Sequence, residues 1–143
     1  MVKKLKLNPL RHAIASLADG LNAVSNNEWF SKQSEAVKNT LIAGIIQNFE
    51  FVYEISVKMI RRQIEAEADI PQDIDRMNFR DMLRVAAETG LIDDVVAWFS
   101  YREMRNITSH TYDQEKAKIV YKSTLSFIND ARALLEELEN RNA

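Results

Sequence analysis

The sequence predicts an all-α protein, an elongated up-and-down bundle of four to five helices. Three observations lead there. The chain of 143 residues has only three Gly and two Pro, whereas β-sandwiches and barrels need turn residues at intervals of about eight to twelve positions. Apolar residues recur at spacings of three and four through most of the sequence. One such stripe continues over about 35 residues, roughly 50 Å of helix at 1.5 Å per residue, which exceeds the width of a compact globule of this size. With 46% apolar and 28% charged residues, the composition is that of a soluble globular chain. Residues 1–143 are read as a single helical domain.

The first helix is expected from Asn8-Pro9, with Asn8 as cap and Pro9 where no hydrogen bond is lost. Leu10, Ile14, Leu17, Leu21 and Val24 form its apolar stripe, and Ser25-Asn26-Asn27 ends it. The second and longest helix runs from about Ser34 to Ala68, with Val37, Leu41, Ile45, Phe49, Val52, Ile55, Met59 and Ile64 on its buried face. Ile42, Ile46 and Ile60 widen that face, which hints at a subunit contact. Asp69 to Met77 reads as a loop containing Pro71. A short third helix is capped by Asn78, with Asp81 three residues on, and closed by Gly90. Asp93 or Asp94 caps a fourth, with Val95, Trp98, Phe99 and Met104, which fades between Asn106 and His110. Asp113 caps a fifth, to about Glu139, with the seam Ala117, Val120, Thr124, Phe127, Ala131, Leu134 and Leu138.

Several function classes fall away. The chain has no cysteine, hence no disulfide framework, zinc ribbon or thiol nucleophile. Lys3, Lys4 and Lys6 resemble a charged leader, but no apolar run follows, and no stretch approaches the length of a membrane span. The expected location is the cytoplasm. A net charge of −2 and pI of about 5.7 do not fit a general polyanion binder. Any nucleic-acid contact must be local, and Lys3, Lys4, Lys6, Arg61, Arg62 and Arg102 are candidates for such a patch. No metal or cofactor is expected: His12 and His110 are far apart, and Gly20, Gly44 and Gly90 are isolated. Asp73-Ile74-Asp75 has the D-x-D form of nucleotidyltransferases but lacks the Gly-Ser turn and the strand, so it reads as solvated loop. His12, beside Arg11, reads as an exposed bystander.

The segment from Met104 to Asp113 differs from its surroundings. It gathers Arg105, Asn106, His110 and Tyr112 where a helix should end. On a continuous helix Arg105 and His110 would lie about 140° apart. If the helix ends after Arg105, the chain can curl and bring both to one cleft. Tyr112, two residues after His110, would point the same way in extended chain. Arg and His together suit phosphodiester chemistry without a metal. A neutral imidazole takes the proton from a ribose 2′-hydroxyl, an imidazolium protonates the leaving oxygen, and the guanidinium holds the non-bridging oxygens. One chain offers one such His, and a two-fold dimer offers two. The plainer alternative is that helix ends attract His and Arg through the helix dipole. Glu50 and Glu54, flanked by Phe49, Phe51 and Tyr53, are either a solvated edge beside the core stripe, or one of them faces this cleft and orients a cation there. Trp98 and Phe99 read as core rather than as base-stacking platforms.

These residues resemble the HEPN superfamily, whose mark is R-x4-6-H near a helix end in an all-α bundle. Arg105 to His110 is the R-x4-H form, Asn106 is the polar residue that often follows the Arg, and Tyr112 completes R-x4-H-x-Y. More narrowly, the sequence is similar to bacterial nucleotidyltransferase substrate-binding proteins. Gln47-Asn48-Phe49-Glu50-Phe51-Val52-Tyr53-Glu54 and Glu88-Thr89-Gly90-Leu91-Ile92-Asp93-Asp94 also carry that likeness, which extends from about Leu10 to Leu138. The resemblance implies a separately encoded minimal nucleotidyltransferase (MNT) as partner. It implies either of two roles: a metal-independent RNase toxin silenced by AMP transfer to Tyr112, or a non-catalytic substrate-binding subunit. Arg105 and His110 would be catalytic in the first, with Asn106, Glu50 and Glu54 supporting the groove of a homodimer.

Overall fold

The structure, a computed structural model, describes residues 4–143, so Lys3 of the expected basic patch lies outside the described residues. It is all-α, with no strand among those residues. Seven α-helices are present among the described residues, where four to five were expected. The five principal ones are those the periodicity marks, and the two additions are single turns.

Helix α1 (Asn8–Ser25) buries Leu10, Ile14, Leu17, Leu21 and Val24. Asn8 is its first residue and not its cap. Leu7 occupies that position without a side-chain bond, and Asn8 Oδ1 instead accepts from Arg11 Nη1 at 2.7 Å. The polar cluster that ends α1 starts α2 (Asn27–Ser31), because Asn26 Oδ1 accepts from the Trp29 amide at 3.2 Å. Helix α3 (Glu35–Glu67) begins where the Ser34 hydroxyl accepts from the Val37 amide. Ile45, Phe49, Val52, Met59 and Ile64 are buried as the stripe requires, while Val37 is 40% exposed. Ile46 and Ile60, from the widened row, are also buried. This chain's own helices cover them, because α3 packs against α1, α4, α5, α6 and α7.

The expected loop holds α4 (Pro71–Asp75), with Pro71 in its first turn and Ile74 buried. Arg61 Nη1 donates to the Ile74 carbonyl. Helix α5 (Phe79–Glu88) is capped by Asn78, which accepts from the Asp81 amide at 2.8 Å. It closes in a Schellman motif: Leu91 N–H bonds the Ala86 carbonyl, Gly90 N–H bonds that of Ala87, and Gly90 takes the required φ of +79°. Of the two aspartates considered, Asp94 caps α6 (Val95–Ile107). A 3₁₀ turn, Thr108–His110, follows directly. Asp113 caps α7 (Gln114–Arg141) through the Glu115 amide.

Phe127 of α7 joins three helices. Its ring meets Phe49 of α3 and Tyr101 of α6 edge-on at 4.8 Å between centroids, and Trp98 of α6 at 5.9 Å. Edge-to-face aromatic pairs add about 0.5–1.5 kcal/mol each beyond their burial. This cluster fixes the first half of α6 against α3 and α7, and the 3₁₀ turn that follows α6 touches both of those helices.

Candidate functional site

Glu50 and Glu54 are four residues apart on α3 and therefore share a face. Arg105 lies on the last turns of α6 and reaches that face. Its Nε and Nη2 donate to Glu54 Oε1 at 3.0 and 2.7 Å, and Nη2 lies 3.9 Å from Glu50 Oε2. Its Nη1 donates to the Thr108 hydroxyl at 3.0 Å, and that hydroxyl donates to the Arg105 carbonyl at 2.7 Å. The hydrogen bond to Glu54 raises the Arg105 pKa above its ordinary value, against the opposing effect of burial. Of the two readings of the carboxylates, Glu54 as partner of a cation is the one observed.

The helix does not end after Arg105. The Thr108 amide donates to the carbonyls of Arg105 and Met104, so α6 runs to Ile107 and tightens into the 3₁₀ turn. Thr111 Oγ1 bonds the Thr108 carbonyl, and the Asp113 amide bonds that of His110. His110 is exposed at the end of this turn, and Asn106 is exposed one turn earlier. His110 and Tyr112 are neighbours, with ring centroids 6.1 Å apart and planes at 78°. They meet across a turn, not along extended chain. Tyr112 is 82% exposed. The hydrogen bonds of Arg105 go to Glu54 and Thr108, and none goes to His110.

Thr108 was not singled out in the sequence. Its spacing of three from Arg105 was the available signal, since that separation brings side chains together on a helix. Tyr53 of α3 is also part of the surroundings. Burial pushes its phenol up to about 12, and Arg102 and Arg105 partly offset that rise. A groove of about 550 Å³ between α3 and α7 is lined by Phe30, Lys38, Ile42, Tyr121 and, at the 3₁₀ turn, Thr111 and Tyr112.

Other sequence candidates are dispersed. Lys4, Lys6 and Arg62 line a cavity of about 590 Å³ that includes neither Arg61 nor Arg102. Trp98 is core, but Phe99 is only partly buried and lies under Arg80 and Arg84 at the α5–α6 seam. His12 is exposed. Asp73 and Asp75 are exposed on α4. Among the described residues no group of three or more His, Asp or Glu side chains is placed to hold a metal ion, and no helix is long and apolar enough to cross a membrane.

Residues 5–140 match the family described as nucleotidyltransferase substrate binding protein like. The chain belongs to this family. A protein named probable ribonuclease HepT, from Haemophilus influenzae, is 49% identical over 142 residues, which are 99% of this chain and 97% of that one. A solved structure from the same species, described as the fold of a substrate binding domain of a nucleotidyltransferase, superposes with a TM-score of 0.91. It is 48% identical and covers 94% of this chain and 99% of its own. The family match spans Arg105, His110, Tyr112 and both further segments that carried the likeness to nucleotidyltransferase substrate-binding proteins. Within a substrate-binding family member of this kind, the ordered Arg105–Glu54–Thr108 group and the exposed His110–Tyr112 pair form the chemically distinctive end of the bundle.

Proposed function

We propose that this chain is a metal-independent endoribonuclease of the HEPN type. In this reading it is a cytoplasmic toxin paired with a separately encoded minimal nucleotidyltransferase, which silences it by AMP transfer to Tyr112. The observation that carries the reading is the state of Arg105. Glu54 and Thr108 engage Nε and one hydrogen on each terminal nitrogen, which leaves a second hydrogen on each of Nη1 and Nη2. Such a pair of donors suits the two non-bridging oxygens of a phosphodiester. The name of the Haemophilus relative, probable ribonuclease HepT, points the same way.

The chemistry follows from the groups present. Neutral His110 removes the proton from a ribose 2′-hydroxyl, and the freed oxygen attacks the adjacent phosphorus. Arg105 holds the charge that grows on the non-bridging oxygens. The bond to the 5′-oxygen breaks, and that oxygen leaves with a proton from the imidazolium of a second His110. The products are a 2′,3′-cyclic phosphate and a 5′-hydroxyl. A homodimer with a shared groove supplies the second His110.

The second reading is a non-catalytic subunit that presents a substrate to the nucleotidyltransferase. The groove beside Tyr112 and the description of the solved relative favour it.

The deciding experiment is RNA cleavage by the purified chain. His110→Ala and Arg105→Ala should each abolish cleavage without unfolding the protein, and a chelator should leave it unchanged. Light scattering should give twice the 16.5 kDa chain mass. A stable monomer would remove the shared-groove mechanism. Absence of cleavage by the wild type would leave the substrate-binding reading in its place.

A further inference from the structure

Helices α5 and α6 exchange cations across their seam. Arg80 of α5 lies 4.6 Å from the ring centroid of Phe99 on α6, and Arg84 lies 5.7 Å from the same centroid. In the opposite direction Arg102 of α6 lies 4.3 Å from the centroid of Phe79 on α5. Arg84 is also paired with Asp81 at 2.9 Å. Arg80 and Arg102 are exposed and belong to no ion pair among the described residues, whose bridges take Arg84 and Arg105 at this end of the molecule. A guanidinium held flat on a ring keeps its N–H edge toward solvent and loses little freedom when it binds a phosphate.

This strip is continuous with the candidate site. Arg102 precedes Arg105 by three residues on α6 and so lies beside it, about 4.5 Å along the axis. Both guanidiniums act on the phenol of Tyr53 on α3 and partly offset the rise that burial gives it. The net charge of −2 requires any RNA contact to be concentrated, and here three arginines over aromatic rings lead to a fourth.

We propose that the α5–α6 seam holds the backbone of single-stranded RNA, with Arg80 and Arg102 as phosphate contacts on the path to Arg105 and His110. This inference rests on the ribonuclease reading for its purpose but not for its binding chemistry. Guanidinium forks fit phosphates, and their π faces and the partly exposed rings accept unpaired bases. Single strands suit it better than duplex, because unpaired bases are free to stack on such platforms.

The test separates binding from cleavage. A labelled single-stranded RNA of about 12 nucleotides, within the usual footprint of such sites, is titrated against the chain carrying His110→Ala, so that it is not cut. Adding Arg80→Gln and Arg102→Gln together should weaken binding and lower the slope of log affinity against log salt by about 1.4, at about 0.7 per lost phosphate contact on a single strand. Arg132→Gln, on the exposed side of α7, should change neither. Arg80→Lys with Arg102→Lys should restore the slope while leaving affinity below wild type, since lysine keeps the charge but not the planar stack. With His110 intact, the Gln pair should raise KM for the long RNA and leave cleavage of a dinucleotide unchanged.

Unaltered affinity and salt slope in the Gln pair would overturn the proposal. So would an equal loss on the dinucleotide. A change in assembly mass would do so too, by showing that the seam is a subunit contact. If the wild type binds RNA through these arginines and cuts none, the strip stands and the nuclease reading falls. If the wild type cuts RNA and the Gln pair behaves identically, the nuclease reading stands and the strip falls.

Discussion

Arg105 grips a single oxygen of Glu54 with two of its nitrogens, across a sequence separation of 51 residues. Thr108 holds the remaining nitrogen. The orientation of Arg105 is thus set jointly by helix packing, which brings α3 to α6, and by the local turn that follows it. A motif in one segment is completed by a carboxylate from another.

If Glu54 positions Arg105, the two residues must be energetically coupled. Glu54→Ala should lower kcat for RNA cleavage about tenfold, equivalent to about 1.4 kcal/mol, with little change in KM. In an Arg105→Lys background, which keeps the charge but not the fork that Glu54 holds, the same substitution should have a much smaller effect. A double-mutant cycle reads this directly, and additive losses would show that Glu54 does not act through Arg105.

Tyr112 is the tyrosine best exposed to a modifying enzyme, at 82% of its surface, whereas Tyr53 and Tyr101 are buried. Incubation with the partner nucleotidyltransferase, ATP and magnesium should add one adenylyl group per transfer, mapped to Tyr112 by peptide mass. Tyr112→Phe should abolish the gain. The added phosphate would repel an RNA phosphate at His110, 6.1 Å away between ring centroids. Modified protein should therefore lose cleavage while keeping its fold. Modification at Tyr121 instead would refute the assignment.

Phe127 should dominate the stability of this end of the bundle. It is fully buried and touches aromatic rings from α3 and α6. Phe127→Ala should cost about 3–5 kcal/mol in urea unfolding, the range for large cavities in cores. Leu125→Ala, at a position 51% exposed, should stay within about 0.5 kcal/mol of wild type.

Tyr53 gives a pH-dependent signature. Its folded-state pKa is raised from 10.0 to about 12. Above pH 10 the unfolded chain loses this proton and the native chain keeps it, so stability is present below pH 10 and falls as pH rises toward 12. The contribution to the slope approaches about 1.4 kcal/mol per pH unit for one group. Tyr53→Phe should show a shallower decline than wild type between pH 10 and 12 in chemical unfolding. Equal slopes would mean that the phenol ionises alike in both states.

The principal helices were legible because their signals are local. Ser34, Asn78 and Asp113 stand at helix starts and cap them, and Gly90 stands where a left-handed residue must close α5. Helices α2 and α4 escaped notice because one turn is too short to show a period, although Asn26 and Pro71 carried start signals. The stretch from Arg105 to His110 was recognisable in composition but not in shape. The Thr108 hydroxyl and amide close the last turn onto Arg105, so the helix fades between Asn106 and His110 by tightening into a 3₁₀ turn and does not stop at Arg105. The choice between Glu50 and Glu54 was beyond reach of spacing, since both share one face and only the docking of α6 distinguishes them. Arg80 and Arg84 escaped for the same reason: their aromatic partner belongs to another helix.

The position of Phe127 also orders events during synthesis. Glu54 leaves the ribosome first and Arg105 second, but neither helix has the ring that joins them until α7 follows. An emerging chain that ends before Phe127 lacks the contact shared by Phe49, Trp98 and Tyr101. Contacts between distant segments form only after the intervening chain has been made and folded. In this architecture α7 carries the ring on which the mutual packing of α3 and α6 rests.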